Sequence, residues 1–254
     1  MSDYIVAIPS RLASTRLPNK PLVPICGIPM IRRVCMQALK SKAQRVIACV
    51  DSDKIAACLT DLPGTEVCMT SPQAACGTDR IAQMIESMHL DLETIIVNIQ
   101  GDEPLINPEH IEAVAQLLVE KQADMATLCF RIDNEHDVFD PSCVKVVFDG
   151  NGMALYFSRA PIPYERDNFM HHQAPTATHY HHIGIYAYKA GTVLRYNQLS
   201  RPEIEVSESL EQLRLLHHGM KIAVGVTETP PESGVDTPED LERVCRYLKA
   251  HGEA

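Results

Sequence analysis

Short apolar runs rich in β-branched residues alternate along this chain with longer stretches whose apolar positions recur every three or four residues. The runs YIVAI (4–8), RVIACV (45–50), TEVCMT (65–70) and TIIVNI (94–99) predict strands. Between them the spacing predicts helices near 29–40, 53–59 and 78–88, and the cap residue Asn107 followed by Pro108 predicts another running to about 120. A strand is expected near 124–130. This alternation predicts an α/β fold with a mostly parallel central sheet covered by helices.

From 131 to 190 the pattern changes. VKVVF, ALYFS and IGIYAY follow one another without helical stretches, separated by a polar segment containing His171, His172, His179, His181 and His182. We read this as a smaller antiparallel β insertion with a mobile loop, carried by a single domain spanning 1–254. A helix is expected again at 205–217 and a strand at 221–226, and Thr237-Pro238-Glu239-Asp240 is a capping pattern that opens a last helix.

Composition adds limits. With 254 residues and 45% hydrophobic content the chain has ample material for a core. A net charge of −10, few aromatics and no Trp argue against a nucleic-acid partner. The nine cysteines are scattered and never spaced as CxxC, which predicts buried thiols in a reducing cytoplasm and neither disulfides nor a zinc site. No run approaches a membrane span and no targeting segment is recognised, so a soluble protein without a membrane partner is expected.

Charge is distributed unevenly. Between Tyr4 and Val50 there is no acidic residue, yet Arg11, Arg16, Lys20, Arg32, Arg33, Lys40, Lys42 and Arg45 all fall there. The pattern predicts cations held clear of carboxylates, and three of them lie in the loop-like run PSRLASTRLPNKPL (9–22) after the first strand, where open α/β sheets bind ligands. Arg11 and Lys20 are suited to neutralise a polyphosphate, although neither a Walker loop nor a GxGxxG fingerprint is present and a solvated basic face is the competing reading. Asp102, at the end of the fourth strand in NIQGDEP, supplies a hard oxygen ligand for Mg²⁺, or simply ordinary turn chemistry. Asp236, just before the last helix, is a second such carboxylate, or a charge favourable to the helix dipole. Gly77 and Thr78 open a helix where a base or ribose can approach closely; a simple cap with Arg80 on the surface is the alternative. Arg159 is able to grip a carboxylate bidentately, while His182 and Tyr186 stand at alternate positions of one strand. Glu208, Glu211 and Gln212 fall together on one face of the helix expected at 205–217.

In order and over essentially the whole chain, IPSRLASTRLPNKPL, EVCMTS, CGTDRIAQ, VNIQGDEPLI, NPEHI, ALYFSRAPIPYERD, HIGIYAY, LEQLRLL and GVDTPEDLERV resemble the 3-deoxy-manno-octulosonate cytidylyltransferases, also called CMP-Kdo synthetases. Sugar-1-phosphate nucleotidyltransferases share that fold but carry a glycine-rich first loop, and acylneuraminate cytidylyltransferases lack the FSRxxIPxxRD and HIGIY blocks together. The resemblance implies a nucleotide-diphospho-sugar transferase-like fold and a homodimer formed through the insertion. It also implies Mg²⁺ dependence and the conversion of CTP and Kdo to CMP-Kdo and pyrophosphate for lipopolysaccharide synthesis. Carried over by motif, Arg11 and Lys20 hold the CTP phosphates, with Gly77, Thr78 and Gln100 around the nucleotide. Asp102 and Asp236 bind Mg²⁺ and, with Lys20, form the catalytic set. Arg159, His182, Tyr186, Glu211 and Gln212 line the sugar-acid pocket. The chain departs from the family pattern at Asn19 (usually Gly), Ile28 (Lys), Cys76 (Ser), Asp79 (Glu) and Ser207 (apolar). Asn tolerates the left-handed backbone a glycine would supply at position 19. An 8-amino relative of Kdo or a neuraminate as acceptor, and a non-catalytic nucleotide-binding domain, are the alternatives.

Overall fold

The computed structural model describes residues 3–14, 17–171, 173–232 and 234–252. Arg16 and His172, named above, lie outside them. Strands β1 (Tyr4–Ser10), β2 (Pro24–Ile25), β3 (Ile28–Pro29), β4 (Arg45–Val50), β5 (Thr65–Met69) and β6 (Ile95–Asn98) precede β7 (Met125–Arg131), β8 (Lys145–Phe148), β9 (Ala154–Ser158), β10 (Tyr180–Lys189) and β11 (Ile222–Val226). The main sheet runs β11-β7-β10-β6-β1-β4-β5. Neighbours pair in parallel except at β10, which is antiparallel to both β6 and β7. The β8–β9 hairpin attaches to β10 where His181 faces Lys145. Within the segment 131–190, then, the hairpin stands at the flank while β10 is an interior strand of the main sheet.

The helices are α1 (Met30–Ala38), α2 (Asp53–Ala57), α3 (Gly77–Ser87), α4 (Pro108–Lys121), α5 (Glu135–Phe139), α6 (Arg166–Met170), α7 (Ala190–Tyr196), α8 (Glu203–Glu208), α9 (Leu213–His217) and α10 (Pro238–Ala250). They cover both faces of the sheet, and period-two alternation divides the core between those faces. In β1, Tyr4, Val6 and Ile8 join the cluster beneath α1 and α4, while Ile5 and Ala7 join the one beneath α3 and α7. Every residue of β1 is buried, as an interior parallel strand requires. Asn107 caps α4 by accepting the Glu109 N–H at 2.9 Å, with Pro108 at the first helical position. The capping box expected at α10 forms between Thr237 and Asp240.

Two expectations fail. The helix predicted over 205–217 is broken: Ser209 adopts φ 52°, and the chain turns between α8 and α9. The region 131–190 also contains the short helices α5 and α6, each too brief for its periodicity to register. The polar loop between β9 and β10 is tied by Glu165, whose carboxylate accepts the N–H groups of Thr176 (2.9 Å) and Ala177 (3.0 Å). His179, at the end of this polar loop, is buried between the carbonyls of Ala177 and Pro163. No helix among the described residues is long and apolar enough to cross a membrane.

Candidate active site

The carboxyl ends of β1, β4, β5 and β6 meet at one edge of the sheet, as their shared direction dictates. After β6 the chain turns at Gly101, where a Cβ would stand 2.9 Å from the Pro9 carbonyl oxygen; only a glycine lets the two loops approach so closely. Asp102 follows. Its carbonyl accepts the Val235 N–H at 2.9 Å, which fastens the segment before α10 to the end of β6 and brings Asp236 beside Asp102. Asn19 adopts the left-handed conformation anticipated for it (φ 53°) and starts the tight turn at Lys20–Leu22.

That turn aims Lys20 between the two carboxylates. Its Nζ donates to Asp102 Oδ2 at 2.5 Å and to Asp236 Oδ1 at 2.7 Å. Two acidic oxygens therefore already flank a cation, which is the arrangement a Mg²⁺ ion needs from its protein side, the remaining ligands being phosphate oxygens and water. Among the described residues no group of three or more His, Cys, Asp or Glu gathers into an all-protein metal cage, so the pair fits a metal shared with a substrate phosphate. Beside it, burial and then the charge of Asp102 push the Glu103 carboxyl up to about 8.

Around this seat lies a cavity of about 360 Å³, with Arg11 exposed at its mouth and Gly77, Gln100 and Glu211 in its walls. Cys76 also lines it, as a neutral thiol: burial, then the charge of Glu211, push it up to about 11. A second cavity of about 250 Å³ adjoins through Gly77, Gln100 and Glu211 and is lined by Tyr186, Tyr188, Tyr196 and Gln212. Thr78 donates to Glu211 Oε2 at 3.3 Å across the junction. The amide nitrogen of Gln212 is buried there without a hydrogen-bond partner, an orphan donor in the cavity wall. A cavity lined by cations and paired carboxylates and a smaller polar-and-aromatic one thus share a wall.

Comparison with known proteins matches this architecture. A family model described as cytidylyltransferase matches residues 5–222. The chain is 51% identical to the 3-deoxy-manno-octulosonate cytidylyltransferase of Aliivibrio fischeri (strain MJ11) over 97% of its length and 99% of that protein's. It is 46% identical to that of Pseudoalteromonas translucida (strain TAC 125), over 98% of both. A solved CMP:2-keto-3-deoxy-manno-octonic acid synthetase complexed with CTP superposes with a TM-score of 0.90 at 36% identity, covering 98% of this chain and 100% of that one. The chain belongs to the 3-deoxy-manno-octulosonate cytidylyltransferase family. It is a nucleotidyltransferase. A cytidylyltransferase from Leptospira borgpetersenii, 16% identical with a TM-score of 0.60 over 99% of this chain and 96% of that one, shares the fold.

In this cytidylyltransferase the residues singled out from sequence are not all in one place. Arg11, Lys20, Gly77, Gln100, Asp102 and Asp236 line the larger cavity, and Thr78, Tyr186, Glu211 and Gln212 line the smaller. Arg159 and His182 line neither. Arg159 donates from Nε to the Glu208 carbonyl (2.7 Å) and from Nη1 to the Pro141 carbonyl (2.9 Å). His182 is buried against Phe157 and Tyr186, with Nε2 3.0 Å from Thr127 Oγ1. The single Thr127 hydroxyl proton is claimed by the Ile183 and Ile185 carbonyls, so His182 Nε2 is the donor in that contact. His182 and Tyr186 share one face of β10, with ring centroids 5.5 Å apart, but of the two only Tyr186 reaches the cavity wall. Glu208 is likewise separated from Glu211 and Gln212 by the break at Ser209, and accepts instead from Ser158 Oγ and the Arg159 N–H.

Other sequence expectations are corrected. The basic segment is not free of carboxylates in space: Arg32 pairs with Asp61, Lys42 with Glu112 and Arg45 with Glu66. Arg80 is not a surface residue. It is 3% exposed and donates to Asp51 Oδ2 (2.9 Å), Thr70 Oγ1 (2.9 Å) and the Ser71 carbonyl (3.0 Å), while Asp51 Oδ1 accepts the Leu12 N–H. This buried pair ties the ends of β1, β4 and β5 to α3, and sequence reasoning missed it. The signal that could have found it is Asp51 directly after RVIACV, a strand-ending acid of the same kind as Asp102.

Proposed function

We propose that this chain transfers the cytidylyl group of CTP to the anomeric hydroxyl of 3-deoxy-manno-octulosonate, releasing pyrophosphate. The observation that carries the reading is the contact of two unlike cavities, one with cations and paired carboxylates, the other with phenols, an amide and an orphan donor. CTP phosphates suit the first, with Arg11 and Lys20 neutralising charge and Gly77, Thr78 and Gln100 about the nucleotide. The sugar acid suits the second, against Tyr186, Glu211 and Gln212, with its anomeric oxygen presented in line to the α-phosphorus across the shared wall. Asp102 and Asp236 hold Mg²⁺, which supplies charge neutralisation at the reacting phosphate and the departing pyrophosphate. Arg159 and His182 act from behind this pocket: Arg159 fixes the Glu208 end of the α8–α9 turn, and His182 packs against Tyr186.

The proposal extends to a homodimer in the cytoplasm whose product feeds lipopolysaccharide assembly. An exposed apolar surface supports association with a second copy: Tyr164 and Met170 are 60% and 64% exposed, and Tyr164 and Phe139 pack on Phe169. The test of the reaction is Mg²⁺-dependent pyrophosphate release from CTP with Kdo, its 8-amino analogue, a neuraminate, or no acceptor. Release with Kdo supports the assignment. Release only with another acid replaces the acceptor, and silence throughout refutes a catalytic role in this chemistry.

A further inference from the structure

Lys20 and the two aspartates come from three distant parts of the chain, separated by 82 and 216 residues, yet one ammonium joins both carboxylates. Its side chain is 13% exposed, against 38% for Asp102 and 44% for Asp236, so the cation is the enclosed member and the anions form the rim. A lysine meant only to greet a phosphate from solution gains nothing from such enclosure. Two adjacent carboxylates without a cation repel each other, and this ammonium is what lets them stand together before any ligand arrives.

Resting on the reading of these aspartates as the Mg²⁺ seat, we propose that Lys20 is the placeholder cation of that seat. In the nucleotide-free protein its ammonium occupies the position a divalent cation takes in the working complex, and it must leave for the metal to enter. The four-carbon stem permits the exchange with the backbone turn fixed by Asn19 and Pro21. CTP supplies the destination, since its phosphates sit in the cavity that Lys20 also lines. Metal and nucleotide are therefore coupled through one side chain: the metal competes with Lys20 when alone, and the competition is relieved when phosphate draws the ammonium away. The device keeps the two carboxylates in register without a resident metal.

The test is Mn²⁺ titration, followed by the electron paramagnetic resonance of the free ion, on the full-length protein with and without CTP and without acceptor. Without nucleotide, Lys20→Met binds Mn²⁺ at least about tenfold more tightly than wild type, within the range coupled sites reach. With CTP the gap closes or reverses, because the variant has lost a phosphate partner. Lys20→Arg retains the wild-type weakness. Lys20→Gln, which keeps hydrogen-bonding capacity, repeats the Met result should Lys20→Met fold poorly. Equal or weaker Mn²⁺ binding by the neutral variants overturns the placeholder role. Asp102→Asn separates the two claims: loss of Mn²⁺ binding in that variant keeps the metal seat whatever Lys20 does, whereas retention removes the seat itself and the inference with it.

Discussion

Asp102, the proposed metal ligand, has little structural role. Its side chain is 38% exposed and its fold-supporting contact is a backbone carbonyl, so Asp102→Ala should lower kcat by about 10²–10³-fold or more while leaving thermal stability nearly unchanged. Steady-state pyrophosphate release beside a melting curve checks both halves; wild-type turnover in the variant would end the metal assignment. His182 behaves oppositely. Burial, then the neighbouring His181, hold its pKa down to about 3, whereas an unfolded histidine titrates near 6.5. The unfolded chain then binds the extra proton first, so this group's contribution is intact above pH 6.5 and is lost as pH falls toward 3. By pH 5 the loss is about 2 kcal/mol. Unfolding free energies from urea melts at pH 7 and pH 5 should differ by about 2 kcal/mol less in His182→Gln than in wild type. At this scale the sequence made Arg11, Lys20, Asp102 and Asp236 legible because strand ends and helix caps announce where side chains reach a ligand edge. It hid what each residue touches. Lys20 meeting two aspartates, and Arg80 buried on Asp51, are long-range pairings with no local trace.

Among the elements, those with strong periodicity or caps were readable: β1, β4, β5, β6, α4 and α10 fall where the pattern put them. The α8–α9 break was not, because SESLEQLRLL (207–216) keeps an acceptable helical spacing through Ser209 and only packing decides against it. The decisive packing is a buried ion pair. Glu205 is 1% exposed and receives Arg214 at 2.6 and 2.8 Å, and Arg214 also lies 4.2 Å over the Tyr196 ring in the wall of the smaller cavity. Arg214→Ala leaves the buried Glu205 carboxylate with only the exposed Arg201 as partner, at 3.1 Å, and should cost about 3 kcal/mol, the low end for breaking a buried pair. Denaturant unfolding measures that cost. If the turn positions Glu211 and Gln212 for the acceptor, the KM for the sugar acid rises in the same variant while CTP affinity holds; unchanged acceptor kinetics would confine the pair to stability.

For the whole molecule, the mostly parallel sheet was legible from alternation, but the place of β10 was not. IGIYAY has the same look in an appended hairpin as in the middle of a sheet, and only its partners differ. The exposed aromatic surface gives a test at this scale: Tyr164→Asp combined with Met170→Asp should convert a dimer to a monomer in sedimentation velocity, and a monomeric wild type would remove the dimer from the proposal. The central position of β10 has an outcome in the order of synthesis. β6 is made some eighty residues before its neighbour β10, and β7 about fifty, and the two earlier strands have only β10 to join them. As the chain emerges, β5, β4, β1 and β6 can close as one half, while β7 waits unpaired on that side until residue 189 is available. A nascent chain halted before Tyr180 should therefore hold a protease-resistant amino-terminal core built on β5, β4, β1 and β6, and no pocket for an acceptor.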